Sequence, residues 1–153
     1  MEPRVNYQEK GQGALKTLFN TGAYIKKSPL IEESLRELVD FRVSQINGCA
    51  YCLDMHSKDA LAHGDNAQRL FCLSAWRETP FFSTRERAAL AWAEAVTACH
   101  VPDEIYTRVK EQFTDEELID LTLIVSSINT WNRFNVAFTN PAAVGTYTAG
   151  QFG

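Results

Sequence analysis

The 153-residue chain has a formal net charge of -4, with 45% hydrophobic and 22% charged residues. These values are ordinary for a soluble globular protein, and a chain of this length buries a core without a disulfide or metal to stabilise it. The negative charge argues against a nucleic-acid partner, which needs a dense basic surface. We find no signal peptide after Met1 and no apolar run long enough to cross a membrane, so we expect a cytoplasmic protein.

Apolar residues recur at helical spacing along most of the chain, and no segment alternates as a strand does. The sequence therefore predicts an all-α helical bundle of about six to seven helices. We expect one domain over residues 1–153, with its core at about 15–140 and an extended C-terminal tail at 141–153. The predicted helices lie at about 9–24, 29–46, 50–62, 67–76, 84–96, 102–113 and 115–138.

Several predicted helix ends carry capping signals. Ser28 before Pro29 is typical of an N-cap followed by proline in the first turn. The segments 83–86 and 114–117 have the spacing of capping boxes, in which a hydroxyl and a carboxylate satisfy backbone amides at the helix start. Gly48 is suited to end the second helix, because glycine adopts the left-handed conformation at low cost. A new helix therefore starts directly after Gly48.

Two cysteines and a histidine lie at this helix start, namely Cys49, Cys52 and His56. Unpaired amides at a helix N-terminus favour a thiolate, and residues three or four apart share one helix face. The two sulfurs can therefore reach disulfide distance, and the imidazole can accept the proton of the Cys52 thiol. Glu37, in a mostly apolar stretch of the preceding helix, is the carboxylate that could orient His56.

The same residues allow other interpretations. Structural zinc takes four ligands, of which the motif supplies three. Further ligands are available at His63, Cys72, Cys99 and His100. A structural disulfide is another alternative, whereas covalent haem needs a histidine where Leu53 follows the second cysteine. Glu37 could also be an exposed charge. Spacing alone leaves these alternatives open.

The four chemical residues match a known pattern in type and spacing. They are Glu37, Cys49, Cys52 and His56. This pattern resembles the signature of the alkyl hydroperoxidase D-like proteins in the carboxymuconolactone decarboxylase superfamily, and further similarity extends the resemblance over about residues 15–140. The resemblance implies an all-helical domain that assembles into trimers or hexamers. It also implies thiol-dependent reduction of hydroperoxides, with an external dithiol as reductant and no bound cofactor or metal.

The resemblance also assigns roles. Cys52 would attack the peroxide, and Cys49 would resolve the product as a disulfide. His56 would be the base, with Glu37 orienting it and relaying protons. In alkyl hydroperoxidase D itself a histidine precedes the second cysteine, where this chain has Tyr51.

The predicted function is thus a thiol peroxidase acting on a small hydroperoxide. Three alternatives keep the fold and change the role. One is a thiol redox sensor, and another is an oligomeric module that binds a small apolar ligand between aromatic side chains. The third is a decarboxylase of a cyclic carboxylate, a branch that generally lacks the cysteine pair.

Overall fold

The computed structural model describes residues 3–151, which form eight α-helices and no β-strand. The helices are α1 (Tyr7–Lys10), α2 (Gln12–Lys27), α3 (Glu33–Asn47), α4 (Ala50–Ala62), α5 (Ala67–Cys72), α6 (Thr84–Thr97), α7 (Asp103–Lys110) and α8 (Asp115–Ala137). Two 3-10 helices lie at Leu73–Glu78 and Pro141–Ala143. The all-α prediction is confirmed. Within the described range, no helix has the length and apolar character needed to span a bilayer.

Helix α3 lies at the centre of the bundle, in contact with α4, α6 and α8. Its side chains Val39 and Val43 are fully buried, as are Leu121 and Val125 on α8. Burying each such side chain stabilises the fold by roughly 1.5–3 kcal/mol. The core therefore fixes α3 and α8 against each other, and α4 starts beside both.

The first predicted helix is two helices, which brings the number to eight. The helix is interrupted at Gly11, where an added Cβ would lie 2.7 Å from the carbonyl oxygen of Tyr7. This interruption allows Tyr7 to pack against Phe134 on α8 and Phe138 at the end of that helix, with ring centroids 5.7 Å apart in both pairs. Glycine at position 11 thus lets the N-terminal segment contact the end of α8.

The predicted start of the second helix at Pro29 is wrong, because α3 begins at Glu33. Ser28 instead ends α2, and its hydroxyl donates to the carboxylate of Asp120, 92 residues away. The hydroxyl that was predicted to cap a helix therefore makes a tertiary hydrogen bond instead. In contrast, both predicted capping boxes are present, and Gly48 ends α3 in the left-handed conformation with φ 65°.

Asparagine side chains join the end of α3 to α8. The Asn47 amide donates to the Oδ1 atoms of Asn129 (3.0 Å) and Asn132 (2.8 Å). The Asn132 amide donates in turn to the Ser44 hydroxyl (3.0 Å), and Asn132 and Ser44 are both fully buried. Buried polar groups without partners are costly, so this pairing strongly favours one arrangement of the two helices.

Residues 152 and 153 lie outside the described range. The rest of the C-terminal segment, residues 141–151, is not the extended tail that we expected. It forms a 3-10 turn and packs along α4, with Tyr147 buried. The Tyr147 hydroxyl donates to Asp59 Oδ2 (2.8 Å), and the backbone amide of Gly145 donates to Asp54 Oδ2 (2.9 Å). Acidic side chains on α4 therefore anchor the tail beside the reactive motif.

Candidate active site

The cysteine pair lies at the start of α4, as predicted. Cys49 is the N-cap residue and Cys52 lies in the first turn, and a disulfide joins their sulfurs. The Cys52 amide also donates to the Cys49 sulfur (3.4 Å). Both residues are 1% exposed, but Cys52 borders the large cleft of the described residues and Cys49 does not. The cleft therefore gives access to Cys52.

His56 and Glu37 form the contact that the sequence suggested. His56 Nδ1 lies 2.9 Å from Glu37 Oε2, and both side chains are buried. Glu37 is thus not an exposed charge. With Nδ1–H donating to the carboxylate, Nε2 is the atom left for proton transfer, and it has no hydrogen-bond partner among residues 3–151. Helical spacing puts this imidazole one turn after Cys52.

The surroundings of His56 favour its protonated form. Burial by itself lowers the pKa of His56, but the hydrogen bond to Glu37 and the charges of Asp40, Glu37 and Asp59 together raise that pKa above its ordinary value. No hydrogen bond joins His56 to Cys52 in the disulfide form among the described residues, but an imidazolium one helical turn away favours a thiolate by its charge. The pair is therefore suited to hold the cysteine as a nucleophile and the histidine as the acid.

Asp40 is a site residue that sequence reasoning missed. It lies one turn after Glu37 on α3, and its Oδ1 is buried without a hydrogen-bond partner among the described residues. Burial raises the pKa of Asp40 to about 7; His56 and Arg36 oppose that rise, and Glu37 adds to it. The two carboxyl groups at helical spacing in a mostly apolar stretch were the available signal.

Asn135 contacts the same sulfur from α8, Tyr7 contacts Asn135 in turn, and sequence reasoning missed both. The Asn135 side-chain amide donates to Cys52 Sγ (3.4 Å), and the Tyr7 hydroxyl donates to Asn135 Oδ1 (2.8 Å). These three residues are brought together by packing over separations of 83 and 128 positions. Periodicity could not reveal a contact at such distances.

Tyr51 lies directly before the second cysteine, at the position where the resemblance to alkyl hydroperoxidase D predicted a relay histidine. Its ring lines the cleft, but its hydroxyl makes no hydrogen bond within residues 3–151. Burial, followed by the charge of Asp54, raises the pKa of Tyr51, so the phenol stays neutral near physiological pH. Tyr51 therefore contributes a surface to the cleft without a proton-transfer partner of its own.

The cleft has a volume of about 750 Å³ and joins a polar end to an apolar wall. Glu37, Asp40, Cys52 and His56 form the polar end. The apolar wall includes Leu18, Phe19, Ile25, Ile124, Ile128 and Trp131. Ligand sites commonly combine an apolar lining with a few convergent polar groups. The arrangement suits a small, largely apolar molecule whose polar group points at the Cys52 sulfur.

The described residues also contain one group with metal-ligand spacing. Glu37, His56 and Asp59 each present a ligand atom within 4.8 Å of the others. The Asp59 carboxylate, however, already accepts hydrogen bonds from the Tyr147 hydroxyl and the Gly150 amide. The group differs from the cysteine-based zinc set considered from the sequence, because the two motif cysteines are bonded to each other and Cys99 is exposed.

The fold and the cysteine site together define a class of protein. Residues 12–95 match the Carboxymuconolactone decarboxylase family, and the chain belongs to that family. The membership inferred from the motif is thereby confirmed.

Particular relatives refine this assignment. The chain is 44% identical to the uncharacterized protein YdfG of Bacillus subtilis over 146 residues, which is 94% of this chain and 99% of YdfG. The crystal structure of an Agrobacterium tumefaciens protein of unknown function, proposed to be an antioxidant defence protein AhpD, superposes with a TM-score of 0.85 at 37% identity, covering 90% of this chain and 95% of that one. The debrominase Bmp8 shares the fold, with a TM-score of 0.78 at 22% identity and coverages of 88% and 75%. The alkyl hydroperoxidase D-like fold is therefore confirmed.

Proposed function

We propose that this protein is a thiol peroxidase that reduces small organic hydroperoxides through the Cys49–Cys52 pair. The observation that carries the proposal is the buried contact between Glu37 and His56 (2.9 Å), one helical turn from a cysteine that borders an apolar cleft. A carboxylate, an imidazole and a thiol in this order are the parts of an activated nucleophile. The similarity to the Agrobacterium protein, which is proposed to act in antioxidant defence, supports a peroxidase function.

The first step makes the sulfenic acid. The imidazole of His56 takes the proton of the Cys52 thiol, and the raised pKa of His56 favours this transfer. The thiolate attacks the terminal oxygen of the hydroperoxide, a sulfur–oxygen bond forms and the oxygen–oxygen bond breaks. The departing alkoxide takes the proton from the imidazolium, so the products are an alcohol and Cys52 sulfenic acid.

The second step returns the site to the observed disulfide. The Cys49 thiol attacks the Cys52 sulfenic acid, the disulfide bond forms, and water leaves with the thiol proton. An external dithiol then reduces the disulfide and becomes oxidised itself. The cycle needs no bound cofactor in this proposal, because the dithiol supplies both electrons. A reducing compartment such as the cytoplasm would provide such a donor.

Hydroperoxide consumption by the purified protein in the presence of a dithiol tests the proposal. We expect Cys52→Ser to abolish turnover, because serine lacks the reactive thiolate. The matched control is Cys99→Ser, which removes an exposed thiol that lies outside the cleft. Full activity in Cys52→Ser would contradict the assignment.

The same assay separates the alternatives. A redox sensor would form the Cys49–Cys52 disulfide once with substoichiometric peroxide and would not turn over when dithiol is supplied. A decarboxylase would release carbon dioxide from a cyclic carboxylate even after both motif cysteines are replaced. A module that only binds a small apolar ligand would consume no hydroperoxide.

We further propose that the protein assembles into trimers or hexamers. Large apolar side chains are exposed on the outer helices, including Phe19 (55%), Tyr24 (53%) and Ile119 (68%). Burying such side chains between subunits would remove apolar surface from water. Light scattering coupled to size-exclusion chromatography gives the subunit number, and a persistent monomer would contradict this expectation.

A further inference from the structure

We propose that Asn135 is a second catalytic group for Cys52, a neutral hydrogen-bond donor to the reacting sulfur, and that Tyr7 is the positioning residue that orients it. The inference rests on the proposed peroxidase function and adds residues outside the motif. It follows from two hydrogen bonds in series, from Tyr7 to Asn135 and from Asn135 to Cys52.

The direction of these hydrogen bonds follows from the chemistry of the sulfur. A thiolate only accepts hydrogen bonds, so the atom that faces it must be a donor. The amide nitrogen of Asn135 lies 3.4 Å from Cys52 Sγ, and its carbonyl oxygen faces the Tyr7 hydroxyl at 2.8 Å. The hydroxyl must then donate to that oxygen. Without such a donor, the side-chain amide could turn its oxygen toward the sulfur and repel a thiolate.

Tyr7 is held firmly enough to perform this role. Its ring contacts Phe134 on α8 and Phe138 at the C-terminal cap of that helix, and the backbone amide of Gly11 donates to the Tyr7 carbonyl (2.8 Å). Burial, with a smaller contribution from Tyr51, raises the pKa of the Tyr7 phenol, so the hydroxyl keeps its proton. The short helix α1 thus acts as a support for one side chain on α8.

The chemical consequence is a thiolate stabilised from two directions. His56 favours it by charge and exchanges a proton, whereas Asn135 favours it by hydrogen bonding and exchanges none. Hydrogen bonds to a charged group are stronger than those between neutral groups, and a bond to the ionised form lowers the pKa of the acid. Asn135 thereby supplies polar support that Tyr51, in the position of the relay histidine, does not.

The test measures the thiol pKa of Cys52. Cys52 is made the sole thiol by Cys49→Ser, Cys72→Ser and Cys99→Ser, and its ionisation is followed by thiolate absorbance and by the pH dependence of its alkylation. We expect Asn135→Ala to raise the thiol pKa by about one unit, since a hydrogen bond to a charged group is lost. Tyr7→Phe keeps the ring contacts and should raise it by about half as much. An unchanged thiol pKa in Asn135→Ala overturns the inference.

A double-variant comparison separates positioning from general damage. If Tyr7 acts through Asn135, Tyr7→Phe has no further effect on the thiol pKa once Asn135 is alanine. An additive effect of the two changes would overturn the role of Tyr7. The matched control is Tyr24→Phe, which removes a tyrosine hydrogen bond to Asp120 (2.9 Å) and leaves the cleft untouched. Tyr7→Phe is the decisive variant should Asn135→Ala fail to fold.

Turnover measurements keep this inference distinct from the proposed function. Unchanged thiol pKa values together with normal hydroperoxide turnover overturn the inference and leave the peroxidase assignment standing. Absence of hydroperoxide turnover in the unaltered protein overturns the peroxidase assignment and, with it, the catalytic role of Asn135. A raised thiol pKa with slower turnover in both Asn135→Ala and Tyr7→Phe supports both.

Discussion

The candidate active site has two sets of side chains, and they differ in charge. Those on α3 and α4, namely Glu37, Asp40 and His56, are ionisable, and the pKa values of Asp40 and His56 are both raised. Those on α8 and α1, Asn135 and Tyr7, are neutral over the physiological pH range. The protein thus separates two tasks. The ionisable side moves protons and depends on pH, whereas the neutral side provides a constant donor.

Among the variants that test this difference between ionisable and neutral side chains, Glu37→Gln should have the largest effect. Glutamine still bonds to His56 Nδ1 but removes the charge that raises the pKa of His56. That pKa should fall, so the imidazolium is lost at lower pH and the thiolate loses its charged partner. We expect hydroperoxide turnover to decrease by roughly tenfold to a hundredfold, within the range of general acid–base contributions.

The pH profile provides the specific readout for this variant. The alkaline limb of turnover should move to lower pH in Glu37→Gln, because that limb reports deprotonation of His56. The control is Glu116→Gln, which removes an exposed carboxylate on α8 outside the cleft. An unchanged profile in Glu37→Gln would show that the carboxylate does not act through His56.

A smaller effect, on stability, is expected from Asp40→Asn. The pKa of Asp40 is about 7 in the folded protein, above the value near 3.9 of an unfolded chain. The folded state therefore binds more protons between these values, and the free energy of unfolding falls as pH rises from about 4 to 7. Asparagine does not ionise, so the variant should be more stable than the unaltered protein at pH 8. The gain should be on the order of 1–2 kcal/mol, below the roughly 4 kcal/mol that the full shift corresponds to, because Asp40 is only half-buried and solvent screens its charge.

Denaturant unfolding at pH 4.5 and pH 8 measures this difference. The stability advantage of Asp40→Asn should be present at pH 8 and nearly absent at pH 4.5. The same advantage at both pH values would mean that ionisation of Asp40 is not its cause. Asp103→Asn, on the surface of α7, is the matched control.

The smallest effect is expected from Tyr51→Phe. The Tyr51 hydroxyl makes no hydrogen bond within the described part of the chain, so its removal should change turnover by less than about threefold. Steady-state kinetics across pH is the measurement. A tenfold loss would show that the phenol has taken over the task of the relay histidine, and the contrast between ionisable and neutral neighbours would then need revision.

The sequence predicts the part of the site that depends on local spacing. Cys49, Cys52 and His56 share one helix, and the capping boxes and Gly48 follow from interactions within a few residues. Glu37 could also be predicted as a site residue, because its helix ends immediately before the motif. The fold class follows from periodicity for the same reason.

What the sequence does not reveal depends on packing between distant segments. The sequence predicted Ser28 as a helix N-cap, but its hydroxyl donates to the carboxylate of Asp120. Asn135 contacts Cys52 only because the core places α8 beside α4. Tyr7 contacts Asn135 only because the helix is interrupted at Gly11. Each of these contacts joins residues whose closeness no local pattern encodes.

The asparagine contacts between α3 and α8 have a consequence for alignment. A helix rotates by about 100° and advances about 1.5 Å per residue, so a slip of one residue would turn Glu37 away from His56 and shift Gly48. Apolar contacts are not directional, so they define this alignment less strictly than hydrogen bonds do. The buried amide of Asn132 donates to Ser44 and accepts from Asn47, and both hydrogen bonds would be lost on such a slip. These hydrogen bonds fix the rotation of α3 about its axis. They thereby fix the direction in which the Glu37 carboxylate faces.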